Sequence, residues 1–155
     1  MSDIKFSKSQ IVKLEGLTTD VGVLSSMTDL LCQNGLVKDT YKQAILDREK
    51  VFPTGLYTGN INVAIPHADV EHVNEASICV GILDKPVKFH AMDEPDNSID
   101  ISLVIMLALK EAHGHIDMLT KVIGLIQDQE AVKEIIESNS QDIIYNIIEK
   151  YLLQE

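Results

Sequence analysis

Two stretches of this chain, at about residues 77–83 and 100–109, are almost continuously apolar. Each is shorter than the roughly 18 residues that a bilayer-spanning helix needs, and Asp100 interrupts the second. An apolar run of this length without alternation is the pattern of a strand buried on both faces. A sheet built on such strands has to be covered on both sides. A further strand is expected at about 61–65 and a short opening one at about 11–14. Helical spacing supplies the cover. Val23, Met27, Leu30 and Leu31 follow Asp20, read as a cap, and Asn34-Gly35 stops that helix. A second helix is expected at about 39–51, with Tyr41, Ala44, Ile45 and Arg48 on one face. Residues 52–60 read as turn and loop. Three more helices are expected at about 115–127, 129–138 and 141–153, with Asp128 and Ser140 as caps. The fold class is therefore α/β: a mixed sheet flanked by helices on both sides, an α/β/α sandwich. With 155 residues and no repeats or linker-like runs, the chain reads as one domain, 1–155.

Charge and cysteine usage narrow the function classes. A net charge of −11 argues against nucleic acid and against anionic membrane surfaces. The opening residues carry no apolar signal-peptide core, so a cytoplasmic protein without membrane insertion is expected. Cys32 and Cys79 lie in apolar periodic segments and have no CxxC partner. They read as buried thiols in a reducing compartment.

The chemistry concentrates in Val63-Ala64-Ile65-Pro66-His67-Ala68-Asp69. A strand-like segment stops at a proline and the next side chain is an imidazole. Strand ends are where ligand sites lie in α/β proteins. Pro66 fixes its own φ and restricts Ile65, so the backbone presenting His67 is stiff. Imidazole serves as base, metal ligand or nucleophile near neutral pH. A metal reading draws on His67-x-Asp69-x-x-His72 and on His113-x-His115, groups that suit Zn, Mn or Fe. An extended 67–69 segment would, however, send His72 to the opposite face. A nucleophile reading asks for nearby cations and donors. Arg48, at the end of the second helix, and His115, at the start of a later one, are the candidates. Spacing alone leaves both open. Arg48 also reads as a solvated side chain paired with Asp47 or Glu49, and His115 as a helix-start residue with no role. Thr54 reads as a turn hydroxyl or as a weaker contact of the site.

Ala44-Ile45-Leu46-Asp47-Arg48-Glu49-Lys50, Phe52-Pro53-Thr54-Gly55-Leu56 and Val63-Ala64-Ile65-Pro66-His67 together resemble the enzyme IIA family of the bacterial sugar phosphotransferase system, in its fructose/mannitol-type branch. Gly114-His115-Ile116-Asp117 is similar to the family's second histidine segment. The resemblance covers about residues 5–152, the expected ordered core. It implies that His67 accepts a phosphoryl group from the phosphocarrier HPr and passes it to an enzyme IIB, and through it to the membrane enzyme IIC. Arg48 and His115 would orient and stabilise phospho-His67, with no metal or cofactor. It also implies modification at Nε2, with Nδ1 held by an acceptor. The run Ile65-Pro66-His67-Ala68-Asp69-x-Glu71-His72-Val73 looks most like galactitol-type members. Fructose, mannitol and nitrogen-regulatory members usually carry a glycine near the histidine run, where this chain has Asn60-Ile61-Asn62-Val63. Leu56 and Val70 are expected on the docking rim. The alternatives are a regulatory module of the same fold, switched by phosphorylation of His67, and a metal-dependent hydrolase using His67, Asp69 and His72. The acidic run Asp93-Glu94-Pro95-Asp96-Asn97 reads as a solvated loop.

Overall fold

In chain order the elements are β1 (Ile11–Leu14), α1 (Asp20–Gln33), α2 (Tyr41–Val51), β2 (Gly55–Leu56), β3 (Val63–Ala64), β4 (Ser77–His90), β5 (Ser98–Ala108), α3 (Ala112–Gln127), α4 (Gln129–Glu137) and α5 (Gln141–Ile148). A π-turn, Glu149–Leu153, continues α5. This computed structural model describes residues 4–154, and the side chains of all of these except residues 112–115. The strands form one mixed sheet in the order β1-β4-β5-β3-β2. β1 runs parallel to β4, β4 antiparallel to β5, β3 parallel to β5 and β2 antiparallel to β3.

The two apolar runs are the central pair, β4 and β5, and their alternation explains why both faces are apolar. Ile78, Val80, Ile82, Leu103, Ile105 and Leu107 pack with Met118 and Val122 of α3, Val132 and Ile135 of α4, and Ile144 and Ile148 of α5. Cys79, Val104, Met106 and Ala108 point the other way, onto Val23, Leu24 and Met27 of α1 and Tyr41 and Ile45 of α2. Two cores thus share one sheet, as the sandwich reading requires. Full burial of each such side chain stabilises by roughly 1.5–3 kcal/mol. No helix among the described residues is long and apolar enough to cross a membrane.

Several boundaries differ from the sequence reading, each for a local reason. Thr19, not Asp20, caps α1: its hydroxyl accepts from the Gly22 N–H at 3.0 Å. Asp20 is instead the first helical residue, where its charge favours the positive helix end. β4 continues past its apolar run to His90 because Val87 and Phe89 are buried while Lys88 and His90 are not. That is the period-2 signature of a strand with one solvated face. β2 falls in the segment read as a turn, and two residues are too few to show any period. α2 begins two residues later than expected and α3 three residues earlier. Asp128 and Ser140 do cap α4 and α5, accepting from the N–H groups of Ala131 and Ile143. Cys79 is buried as expected, but Cys32 is only half-buried and its thiol donates to Asp39.

Gly55 shows why the turn before the site is built as it is. A Cβ at this position would lie 2.6 Å from the His90 carbonyl oxygen, a backbone atom that cannot rotate away. Gly55→Ala is expected to destabilise the fold by about 1–3 kcal/mol, the usual cost of overpacking. The shift in urea midpoint at unchanged m-value measures it.

Candidate functional site

β3 is short by its ladder, yet its register with β5 persists beyond it. Val63 pairs with Leu103, Ala64 with Val104, and three residues on His67 pairs with Leu107 at the same offset. Pro66 breaks the ladder because it has no N–H. Its carbonyl nevertheless accepts from the Leu107 N–H at 2.9 Å. His67 therefore sits at the carboxyl ends of two parallel strands, the usual place for a site in such a sheet. β5 then leads through residues 109–111 into α3.

The half-buried His67 ring has a defined tautomer. Its Nδ1 lies 2.9 Å from the Ile65 carbonyl oxygen. A carbonyl can only accept, so Nδ1 carries the hydrogen and the lone pair of the neutral ring is on Nε2. Burial, first, and the Arg48 guanidinium hold the ring pKa below its ordinary value of 6.5, against the pull of the Ile65 carbonyl and Asp69. The ring is neutral at pH 7.

Arg48 lies in the last turn of α2, on the same face as Tyr41 seven residues earlier. The buried Tyr41 hydroxyl donates to the Leu107 carbonyl at 2.8 Å and fixes that face against the end of β5. The Arg48 guanidinium stacks over Phe52, 5.4 Å from the ring centre, and its Nη1 is 3.6 Å from the Asp69 carboxylate. Both partners of that ion pair are substantially exposed, so it contributes little to stability. The Arg48 Nε–H is buried with no hydrogen-bond partner among the described residues. The arrangement leaves a cation beside the imidazole that is held by packing.

Glu49, next in the chain, points the other way and is buried. Its carboxylate accepts from the Thr54 N–H at 2.8 Å and from the Thr54 hydroxyl at 2.9 Å. Burial pushes its pKa up to about 7, and Asp20 adds to the rise. The two Thr54 donors and Arg48 oppose it. The Thr54 hydroxyl, read as a turn hydroxyl or as a weaker contact of the site, is turned to Glu49. The sequence reading gave Glu49 no role beyond pairing with Arg48. The signal available for it was the short interval between Arg-Glu and Pro-Thr-Gly, which brings a helix end and a turn together.

The remaining site residues separate. His72 lies in a 3-10 turn with Nδ1 2.8 Å from the Thr40 hydroxyl oxygen. Among the described residues no group of three His, Cys, Asp or Glu side chains is placed to hold a metal. His113 and His115 fall in the first turn of α3, and their side chains lie outside the described residues. Leu56 and Val70, expected on the rim, are only half-exposed. Large exposed apolar side chains in these segments are Val51, Phe52, Tyr57 and Ile116.

The raised pKa of Glu49 makes one part of the stability depend on pH. The folded state holds a proton there between about pH 4.5 and 7 that the unfolded chain does not. This contribution is fully present below pH 4.5 and is lost as pH rises through 7. The Tm of the wild type is therefore expected to fall relative to that of Glu49→Gln between pH 5 and pH 8. A constant difference across that range would rule out a titrating Glu49.

Comparison with known proteins gives consistent matches. Residues 5–151 match the family model described as phosphoenolpyruvate-dependent sugar phosphotransferase system, EIIA 2. The chain is 31% identical over 114 residues to the galactitol-specific EIIA component of Escherichia coli (strain K12), covering 74% of this chain and 75% of that one. It is also 31% identical over 134 residues to the fructose-specific EIIABC component of Bacillus subtilis, covering 83% of this chain and 20% of that longer one. The fold matches the enzyme IIAMtl chain of the complex with phosphorylated enzyme IIBMtl from Escherichia coli. The TM-score is 0.79 at 24% identity, over 95% of this chain and 99% of that one.

Proposed function

The chain belongs to the EIIA 2 family of the phosphoenolpyruvate-dependent sugar phosphotransferase system, and from that membership we propose that His67 is the residue through which it carries the phosphoryl group. The protein is a phosphotransferase component. The observation that carries the assignment to His67 is the Nδ1–H bond to the Ile65 carbonyl. It leaves the lone pair on Nε2, held at a strand end on a stiff Ile65-Pro66 segment. A nucleophile needs that lone pair, and the lowered ring pKa keeps it unprotonated at neutral pH.

In the proposed step the Nε2 lone pair attacks phosphorus in line. The P–N bond to the histidine of phosphorylated HPr breaks, and its electron pair leaves with that imidazole. The onward step repeats the displacement toward a nucleophile of enzyme IIB, and through it serves the membrane enzyme IIC. Phosphoryl transfer asks the protein chiefly for position and charge. Arg48 supplies the positive charge next to His67, and its packing on Phe52 keeps it there without a strong competing carboxylate. His115, at the positive end of α3, is assigned the second stabilising position. For the partner, the support is the fold likeness to an enzyme IIA described in complex with phosphorylated enzyme IIB. For the sugar, the standalone galactitol-specific relative, matched over most of its length, favours galactitol or a similar sugar alcohol. The regulatory reading gains no separate observation from the geometry.

Incubation with phosphorylated HPr is expected to label the wild type with an acid-labile, base-stable phosphate. His67→Ala is expected to take up none while keeping its urea midpoint. Normal labelling of that variant would remove His67 from the role. Arg48→Ala is expected to slow uptake by about 100-fold, the scale of losing one preorganised charge partner. His115→Ala is expected to slow transfer or shorten the life of the phospho-form, and unchanged rates in both directions would exclude it. Protonation of His67 itself blocks Nε2, so its own effect on the rate enters only as pH falls below 6.5.

A further inference from the structure

Glu49, Thr54, Ile65 and His67 form one connected line of hydrogen bonds. The Glu49 carboxylate accepts both the N–H and the hydroxyl of Thr54. The Thr54 carbonyl accepts from the Ile65 N–H at 3.2 Å. The Ile65 carbonyl is the acceptor of the His67 Nδ1–H. Each link uses a different peptide unit, so the line transmits position rather than a proton. It crosses from the end of α2, through the turn before β2, to the extension of β3.

We infer that Glu49 is a positioning residue for His67: by anchoring Thr54 it fixes the Ile65 backbone, and so the tautomer and orientation of the imidazole. The inference rests on the reading of His67 as phosphoryl acceptor but concerns a residue that touches neither phosphoryl group nor partner. Three observations carry it. The carboxylate is buried and spends both oxygens on one residue. Thr54 is itself buried and gives both its N–H and its hydroxyl to this carboxylate. Gly55, next to Thr54, is packed against the His90 carbonyl with no room for a Cβ, so the turn is held closely on its other side as well.

Glu49 also has a route to solvent. It lines a cavity of about 440 Å³ with Asp20 of α1, Lys50 of α2, His90 of β4 and Asp96 of the following loop. Those groups, with Arg48, are the charged and titratable neighbours that face it. Ionised, the carboxylate offers acceptors to both Thr54 donors. Protonated, one oxygen becomes a donor and the grip loosens. Phosphoryl uptake by the wild type is therefore expected to fall as pH drops through about 7, above the range in which His67 protonation acts.

The test compares wild type, Glu49→Gln and Thr54→Val by two measurements. One is uptake from phosphorylated HPr across pH 6 to 8. The other is ¹⁵N spectroscopy of the His67 ring without phosphorylation. For Glu49→Gln the expected result is an uptake kcat about tenfold lower at pH 8, the scale of one hydrogen bond to a charged group. The KM for phosphorylated HPr should be unchanged, and the inflection near pH 7 should be lost. The ring spectrum should show the Nε2–H tautomer increased about tenfold. Thr54→Val, which keeps the N–H and removes the hydroxyl, should move the same signals part of the way and carries the test should Glu49→Gln fail to fold. Ring signals and a pH profile identical to the wild type would overturn the inference. So would a lower rate with an unshifted ring, which would mark a purely structural role. If the wild type takes up no phosphate while its ring responds to Glu49→Gln, the coupling stands and the assignment of His67 as acceptor falls.

Discussion

The persistent register of β3 on β5 is the constraint from which the site follows. Both strands are apolar on both faces, so neither face of the sheet has room for an imidazole that must meet water. Only where the pairing ends can a side chain be backed by paired strands and open to solvent. Pro66 performs the transition. It withholds one N–H from the ladder, keeps a carbonyl in it through Leu107, and delivers His67 at the register position that the strands dictate. The same end of β5 is held from the other layer by Tyr41, which sets where α2, and so Arg48, can lie.

Electrostatics at this corner run against those of the chain as a whole. The net charge is −11, yet the cation beside the imidazole is stacked on an aromatic ring and faces one well-exposed carboxylate. An anionic group arriving at His67 competes with a weak, solvent-screened ion pair rather than a buried one. The one carboxylate that is buried nearby, Glu49, is turned into the turn and holds backbone and hydroxyl donors. Two adjacent residues of a helix end thus part: Arg48 faces Asp69 and Phe52, and Glu49 holds Thr54 in the turn before β2.

Much of this was legible in the residues because the signals were local and periodic. The twin apolar runs define the sheet's centre, and Asp128 and Ser140 mark helix starts by their own chemistry. The three motif segments, read together, identify the family. What was not legible depends on contacts between segments. The two-residue β2 exists only because β3 lies beside it. Glu49 looks like any surface glutamate until the turn folds back on it. The parting of His72 from His67 follows from a 3-10 turn that brings it to Thr40, and the sequence carries no period for so short an element.

The strand order has a consequence for how the molecule assembles. β4 and β5 are neighbours in sequence and form an antiparallel hairpin. The β1–β4 and β3–β5 pairings are parallel and join segments far apart along the chain. Distant pairings must close long loops before any contact rewards them, and so they form slowly. His67 depends on the β3–β5 pairing and on a helix from the opposite layer. On this loop-closure argument its corner is expected to come together late and, at the end of its ladder, to open early. A chain that has not completed its long-range pairing presents no organised imidazole, so, on the role proposed for His67, phosphorylation competence doubles as a report that folding has finished.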